Sequence, residues 1–230
     1  MTSVDFSTVQ VFWSVWKRAW AVLGPAGNLL QWTYNVNARF HLAIKRAWYW
    51  TTNATAHWNA SFDFGVPDLG VDLASVLNHI VVDLSNQQGF QILRDTSESK
   101  IVRARGIVFD LTCHTGTLHV QVADQTVSYR DSQKIIGTQV LPIVERIEQA
   151  LPGAKRRYAL TAHFGSDENP YLSVYLRRID KTLISSFQCS YNLAEGGVTV
   201  SVNLESVNVV AESRESFREA SAKLLALSHP

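Results

Sequence analysis

The stretch FDLTCHTGTLHVQV, residues 109–122, alternates apolar and polar side chains on both sides of Thr115-Gly116. Taking those two residues as a hairpin turn pairs Thr112 with His119. It puts Phe109, Leu111, Cys113, Leu118, Val120 and Val122 on one face and Asp110, Thr112, His114, Thr117, His119 and Gln121 on the other. A slip of one residue would mix the two faces, so pattern and turn support the same register. A second turn at Asp124-Gln125 would bring a third strand back, with Arg130 opposite His119 and with Val127 and Tyr129 added to the apolar face. This is an antiparallel meander with one wet face.

The flanking segments supply helices. Asp72 can cap a helix whose buried stripe is Leu73, Val76, Leu77, Ile80, Val81 and Leu84, ending near Gly89. A second helix is expected from about Ser132 to Leu151. Strands follow at 157–164, 171–179, 183–192 and 198–210. Ser213 is placed to cap a last helix that buries Phe217, Ala220, Leu224 and Leu225. Antiparallel strands in runs separated by helices define an α+β fold with helices packed on one face of a curved sheet. No repeat stands out residue by residue, although the rhythm of strands followed by a helix recurs.

The N-terminal part differs in composition. All seven Trp lie in the first 58 residues of 230, and residues 1–60 hold five basic residues against the single acid Asp5. Val9, Phe12, Trp13, Trp16, Ala19, Trp20 and Leu23 recur at helical spacing, and Gly24-Pro25 stops the run. From Leu30 to Val66 the apolar residues fall almost entirely on even numbers, which reads as about three strands. The competing reading is a helix over Arg39–Trp50, because Phe40, Ile44 and Trp48 stand four apart among good helix formers. The chain thus divides into a Trp-rich helix and strands over 1–66 and an α+β unit over 67–230.

With 46% apolar residues, 18% charged residues and a net charge of +1, the chain is a core-forming globular protein and not a polyelectrolyte. Lys17 and Arg18 interrupt the one aromatic run that approaches the length of a spanning helix. No secretory signal stands at the start, and Cys113 and Cys189 are too few for a disulfide framework, so a reduced cytoplasmic protein is expected. No cofactor motif is present, neither a Gly-rich phosphate loop nor a paired Cys-x-x-Cys.

Four groups of residues are candidates for function. Asp110, His114 and His119 on the wet face could relay protons or hold a metal, although Arg130 beside His119 would oppose a cation and solvated sheet faces ordinarily carry such residues. Cys113 and Cys189 point with apolar neighbours and read as structural thiols. If strands 157–164 and 171–178 form a hairpin, Lys155, Arg156, Arg157, Arg177 and Arg178 converge and call for an anion such as phosphate or nucleic acid. Trp13, Trp16 and Trp20 form a large rigid surface suited to a protein partner or a second copy. A membrane surface, or single-stranded nucleic acid stacked beside Arg39 and Arg46, would also suit the Trp-rich region. The reading favoured is a non-catalytic binding or assembly protein acting as an oligomer or a subunit through that region. The alternatives are an enzyme using the polar meander face and a carrier of a small apolar ligand.

Overall fold

The computed structural model describes residues 37–67, 72–164, 169–176, 186–193 and 197–228. Trp13, Trp16 and Trp20, with the amphipathic stripe that carries them, lie outside these residues, as do Arg177 and Arg178.

The first described element corrects the strand reading over its own residues and agrees with the competing helix over Arg39–Trp50; residues 30–36 lie outside the described residues. Ala38–Thr51 is a helix, α1. The Asn37 side chain caps it by accepting from the amides of Arg39 and Phe40 at 3.1 and 3.2 Å. Asn53, with φ of 51°, ends it in the left-handed region. The even spacing of Phe40, Leu42, Ile44, Trp48 and Trp50 suits a strand, but their presumed common face does not exist: Leu42 is buried while Ile44, Trp48 and Trp50 are exposed. Ala, Leu, Lys and Arg between them are helix formers, and the cap decides the contest. True alternation starts at β1, Thr55–Gly65, where Ala56, Trp58, Ala60, Phe62 and Phe64 all face the core.

After β1 come helix α2 (Leu73–Leu84) and four strands: β2 (Gln91–Asp95), β3 (Ser99–Ala104), β4 (Ile107–His114) and β5 (Thr117–Ser128). Asp72 caps α2 as its sequence indicates, accepting from the Ala74 amide at 3.1 Å. Thr115 and Gly116 both have positive φ, the requirement of a tight two-residue hairpin, and Thr112 does face His119. The turn at Asp124-Gln125 does not form. Trp58 faces Gln125 and Ala60 faces Val122, so β5 carries one extra residue as a bulge and continues beside β1. Parity shifts there, which lets Val127 pack on the core although no strand turns back.

Ser128 caps the next helix, α3 (Tyr129–Ile135), which passes through a π-helical turn at Ile136–Val140 into α4 (Leu141–Ala150). Pro142 has no amide hydrogen for the Thr138 carbonyl four residues back, and the Arg105 guanidinium donates to that oxygen at 3.0 Å. The chain continues as β6 (Lys155–His163), the short helix α5 (Leu172–Tyr175), β7 (Gln188–Leu193), β8 (Val198–Asn203), β9 (Ser206–Ala211) and α6 (Arg214–Leu225). The segment read as a strand over 171–179 is therefore helical where described. The run 198–210 is two strands, because the Asn203 side chain accepts from the amides of Glu205 and Ser206 and folds the chain back.

All nine strands form one antiparallel sheet in the order β2-β3-β4-β5-β1-β6-β9-β8-β7. β1 sits at its centre, so residues 55–65 share one sheet with the strands that follow. The order is nearly symmetric. In each half the first strand, β1 or β6, pairs with the last strand of its own meander, β5 or β9, and the two first strands pair with each other. Phe62 faces Tyr158 and Trp58 faces Ala162 about the Ala60–Leu160 pair. A half-turn about that pair exchanges Trp58 with Tyr158, Val120 and Val122 with Val207 and Val209, and the capping Ser128 with Ser213. The rhythm in the sequence thus corresponds to a structural repeat.

The described helices pack on the face that carries Trp58, Phe62, Phe64, Phe109, Leu111, Tyr158 and Val209. Rings meet edge to face at the centre, Phe62 with Tyr158 at 5.9 Å and with Phe217 at 5.5 Å. The polar atoms of these large side chains are satisfied. Trp58 Nε1 donates to Ser132 Oγ at 3.1 Å, and the Tyr158 hydroxyl donates to Glu148 at 2.7 Å.

Candidate functional site

Two outward surfaces among the described residues carry the candidate groups. The first is α1, whose fourteen residues form three stripes. Ala38, His41, Leu42 and Tyr49 face the body of the protein, and Tyr49 stacks on Tyr129 with centroids 5.2 Å apart. Ile44 and Trp48, one turn apart, face outward at 45% and 63% exposure. Arg39, Ala43, Arg46, Ala47 and Trp50 form the third stripe. With Leu227 and Ser228 beyond α6, they line an open groove of about 860 Å³.

Among the described residues neither Arg39 nor Arg46 has an acidic partner. A third guanidinium, that of Arg130, lies over the Trp50 ring at 4.5 Å. No carboxylate lines the groove among the described residues. The surface is therefore apolar at its floor and cationic at its rim.

The second surface is the open face of the sheet, which no described helix covers. It is lined by Ser, Thr, Asn, Gln and His, many of which bond one another, although the buried Oδ1 of Asn208, between Thr161 and Ser201, has no partner among the described residues. Asp63 pairs with His119 and, at 3.4 Å, with Arg157, across three adjacent strands. The Asn59 amide donates to Asp124 at 3.1 Å and lies 3.4 Å from His163. His57 bonds Thr126, Ser190 bonds Ser201, and Thr199 donates to Asn192.

The candidates read from the sequence fall into place accordingly. Asp110, His114 and His119 share the open face, but they do not converge. Asp110 accepts from Thr112 at 3.1 Å and lies 3.4 Å from Ser99 Oγ, while His119 turns to Asp63. Asp63 could not be paired with His119 from the sequence because that contact depends on β5 lying beside β1, a neighbour 56 residues away. Among the described residues no three His, Cys, Asp or Glu side chains come together as a metal site.

The basic cluster is divided. Lys155 and Arg157 lie on the open face, while Arg156 points to the helical side, 3.7 Å from Glu148. The hairpin that was to join them to Arg177 and Arg178 is absent, since Leu172–Tyr175 is helical. Cys113 and Cys189 are both free, and they stand on separate strands near opposite ends of the sheet. Burial, with Asp72 and Glu98 nearby, pushes the Cys113 thiol up from its ordinary pKa, the direction opposite to that which activates a nucleophilic thiol.

No protein-family model matches the chain, and no curated protein is significantly similar in sequence. Among solved structures, the aspartokinase alpha and beta subunits are 15% identical over 75% of this chain and 94% of theirs, with a TM-score of 0.18. A putative adenylate cyclase from Bacillus halodurans is 9% identical over 76% of this chain and 78% of its own, with a TM-score of 0.15. At those scores neither likeness bears on fold or function. Among the described residues no helix is long and apolar enough to cross a membrane.

Proposed function

We propose that this protein works by binding and assembly, not by catalysis, and that the outward stripe of α1 is its contact surface with a second copy of the chain. The observation that carries this reading is the pair Ile44 and Trp48, exposed together on a helix whose other side is anchored in the core. Large apolar side chains left in water beside one another mark contact surfaces, and Trp is enriched among the residues that dominate interface energy. The stripe itself holds no charge, so two copies related by a twofold axis can meet there without bringing the guanidiniums of the neighbouring stripe into opposition. Two free thiols fit a reducing compartment such as the cytoplasm.

Light scattering on the eluting full-length protein tests the reading. The expected mass is about twice the 25.7 kDa of one chain, falling to one chain in an Ile44→Ser, Trp48→Ser variant. A monomeric parent protein at tens of micromolar removes the self-association reading. A specific observation favours carriage of a small ligand as a second activity, namely the groove beside the stripe, whose size lies within the range of small-molecule sites.

A further inference from the structure

From the chemistry of that groove we infer that it takes an anionic amphiphile with a single alkyl chain. This rests on α1 being the working surface, but it uses a different stripe of the helix from the one proposed for assembly. Leu42, Ala43, Ala47 and Leu227 supply apolar walls without a hydrogen-bonding side chain, and Trp50 closes one side with a flat ring. These walls accept a hydrocarbon chain; the two hydroxyls that also line the groove are those of Ser228 and of Thr51, whose proton already goes to the Trp48 carbonyl.

The rim holds the opposite chemistry. Arg39 and Arg46 stand seven residues apart, about 10 Å along the helix axis, and both reach over the groove. Arg130 adds a third positive charge against Trp50. Cations grouped without a carboxylate repel one another, and an anionic head group placed among them is bound by charge-assisted hydrogen bonds while relieving that repulsion.

Equilibrium dialysis of the full chain against monomeric dodecanoate, with dodecyltrimethylammonium as a probe of equal length and opposite charge, tests the assignment. The parent protein is expected to bind dodecanoate saturably, at least tenfold more tightly than the cation. An Arg39→Gln, Arg46→Gln variant should lose that preference and keep the parent's mass. Ala47→Phe, which narrows the groove, should weaken dodecanoate binding severalfold with the charges intact, its fold checked by circular dichroism. Absence of saturable dodecanoate binding overturns the inference. So does a preference that survives in the double Arg variant, or attachment to phosphatidylglycerol vesicles without uptake of the monomeric probe. Failure of the assembly reading would appear separately, as a monomeric parent that still binds dodecanoate.

Discussion

Across the open face of the sheet, Asp63 satisfies both His119 and Arg157, Asn59 bridges toward Asp124 and His163, and hydroxyls bond across neighbouring strands. Along α1, two guanidiniums line an apolar groove, a third lies over the Trp50 ring, and two large side chains stand in water. The first surface has met most of its demands internally, the buried Asn208 Oδ1 excepted, so a ligand there would largely exchange with bonds already made. The second has charge and apolar area that water serves poorly. His and Asp made the sheet face a candidate in the sequence beside the favoured Trp-rich region, yet unmet demand is what distinguishes a binding surface from a solvated one.

Substitutions of buried and exposed tryptophan sharpen that contrast most strongly. Trp58→Ala removes a ring that is 1% exposed, together with its bond to Ser132. It should cost about 3–5 kcal/mol in urea unfolding. Trp48→Ala, 63% exposed, should stay within about 0.5 kcal/mol while weakening association. A large loss at Trp48 would mean that the ring supports the fold and is no free contact surface.

A smaller effect is expected at the link between the core and α4. Burial and the bond to Glu148 hold the Tyr158 hydroxyl above its ordinary pKa of 10.0. The folded protein therefore keeps a proton that the unfolded chain releases, so this contribution is whole below about pH 10 and is lost as pH rises beyond it. Tyr158→Phe should cost about 1 kcal/mol at neutral pH and flatten the alkaline decline, as followed by melting temperature between pH 8 and 11. A parent protein equally stable across that range contradicts the assignment.

The smallest effect belongs to the sheet face. Asp63→Asn disturbs a partly exposed pair and should cost less than about 1 kcal/mol in urea, with mass and dodecanoate binding unchanged. A change in either would show that the face has a partner of its own.

The parts of this architecture that were legible in the sequence are those governed by local rules. Thr115-Gly116, Asp72 and Ser213 announce a hairpin turn and two caps, and all three act as their residue types require. The alternation of Phe109 to Val122 gave the β4–β5 register. Errors arose where two periods fit the same residues or where a long-range neighbour chose between outcomes. Phe40, Leu42, Ile44, Trp48 and Trp50 fit a period of two while Phe40, Ile44 and Trp48 stand four apart, and the Asn37 cap breaks the tie. Asp124-Gln125 resembles a turn, but pairing with β1 turns it into a bulge. The groove was hidden for the same reason, since Leu227 meets Arg39 and Arg46 only through the packing of the helices beneath the sheet.

Sedimentation velocity of the full chain, with each surface altered in turn, tests most directly which of the two is the working surface. The parent protein should sediment as a dimer, Ile44→Ser, Trp48→Ser as a monomer, and Asn59→Ala, His163→Ala as a dimer like the parent. A dimer that survives the helix substitutions and dissociates with the sheet substitutions would contradict the account.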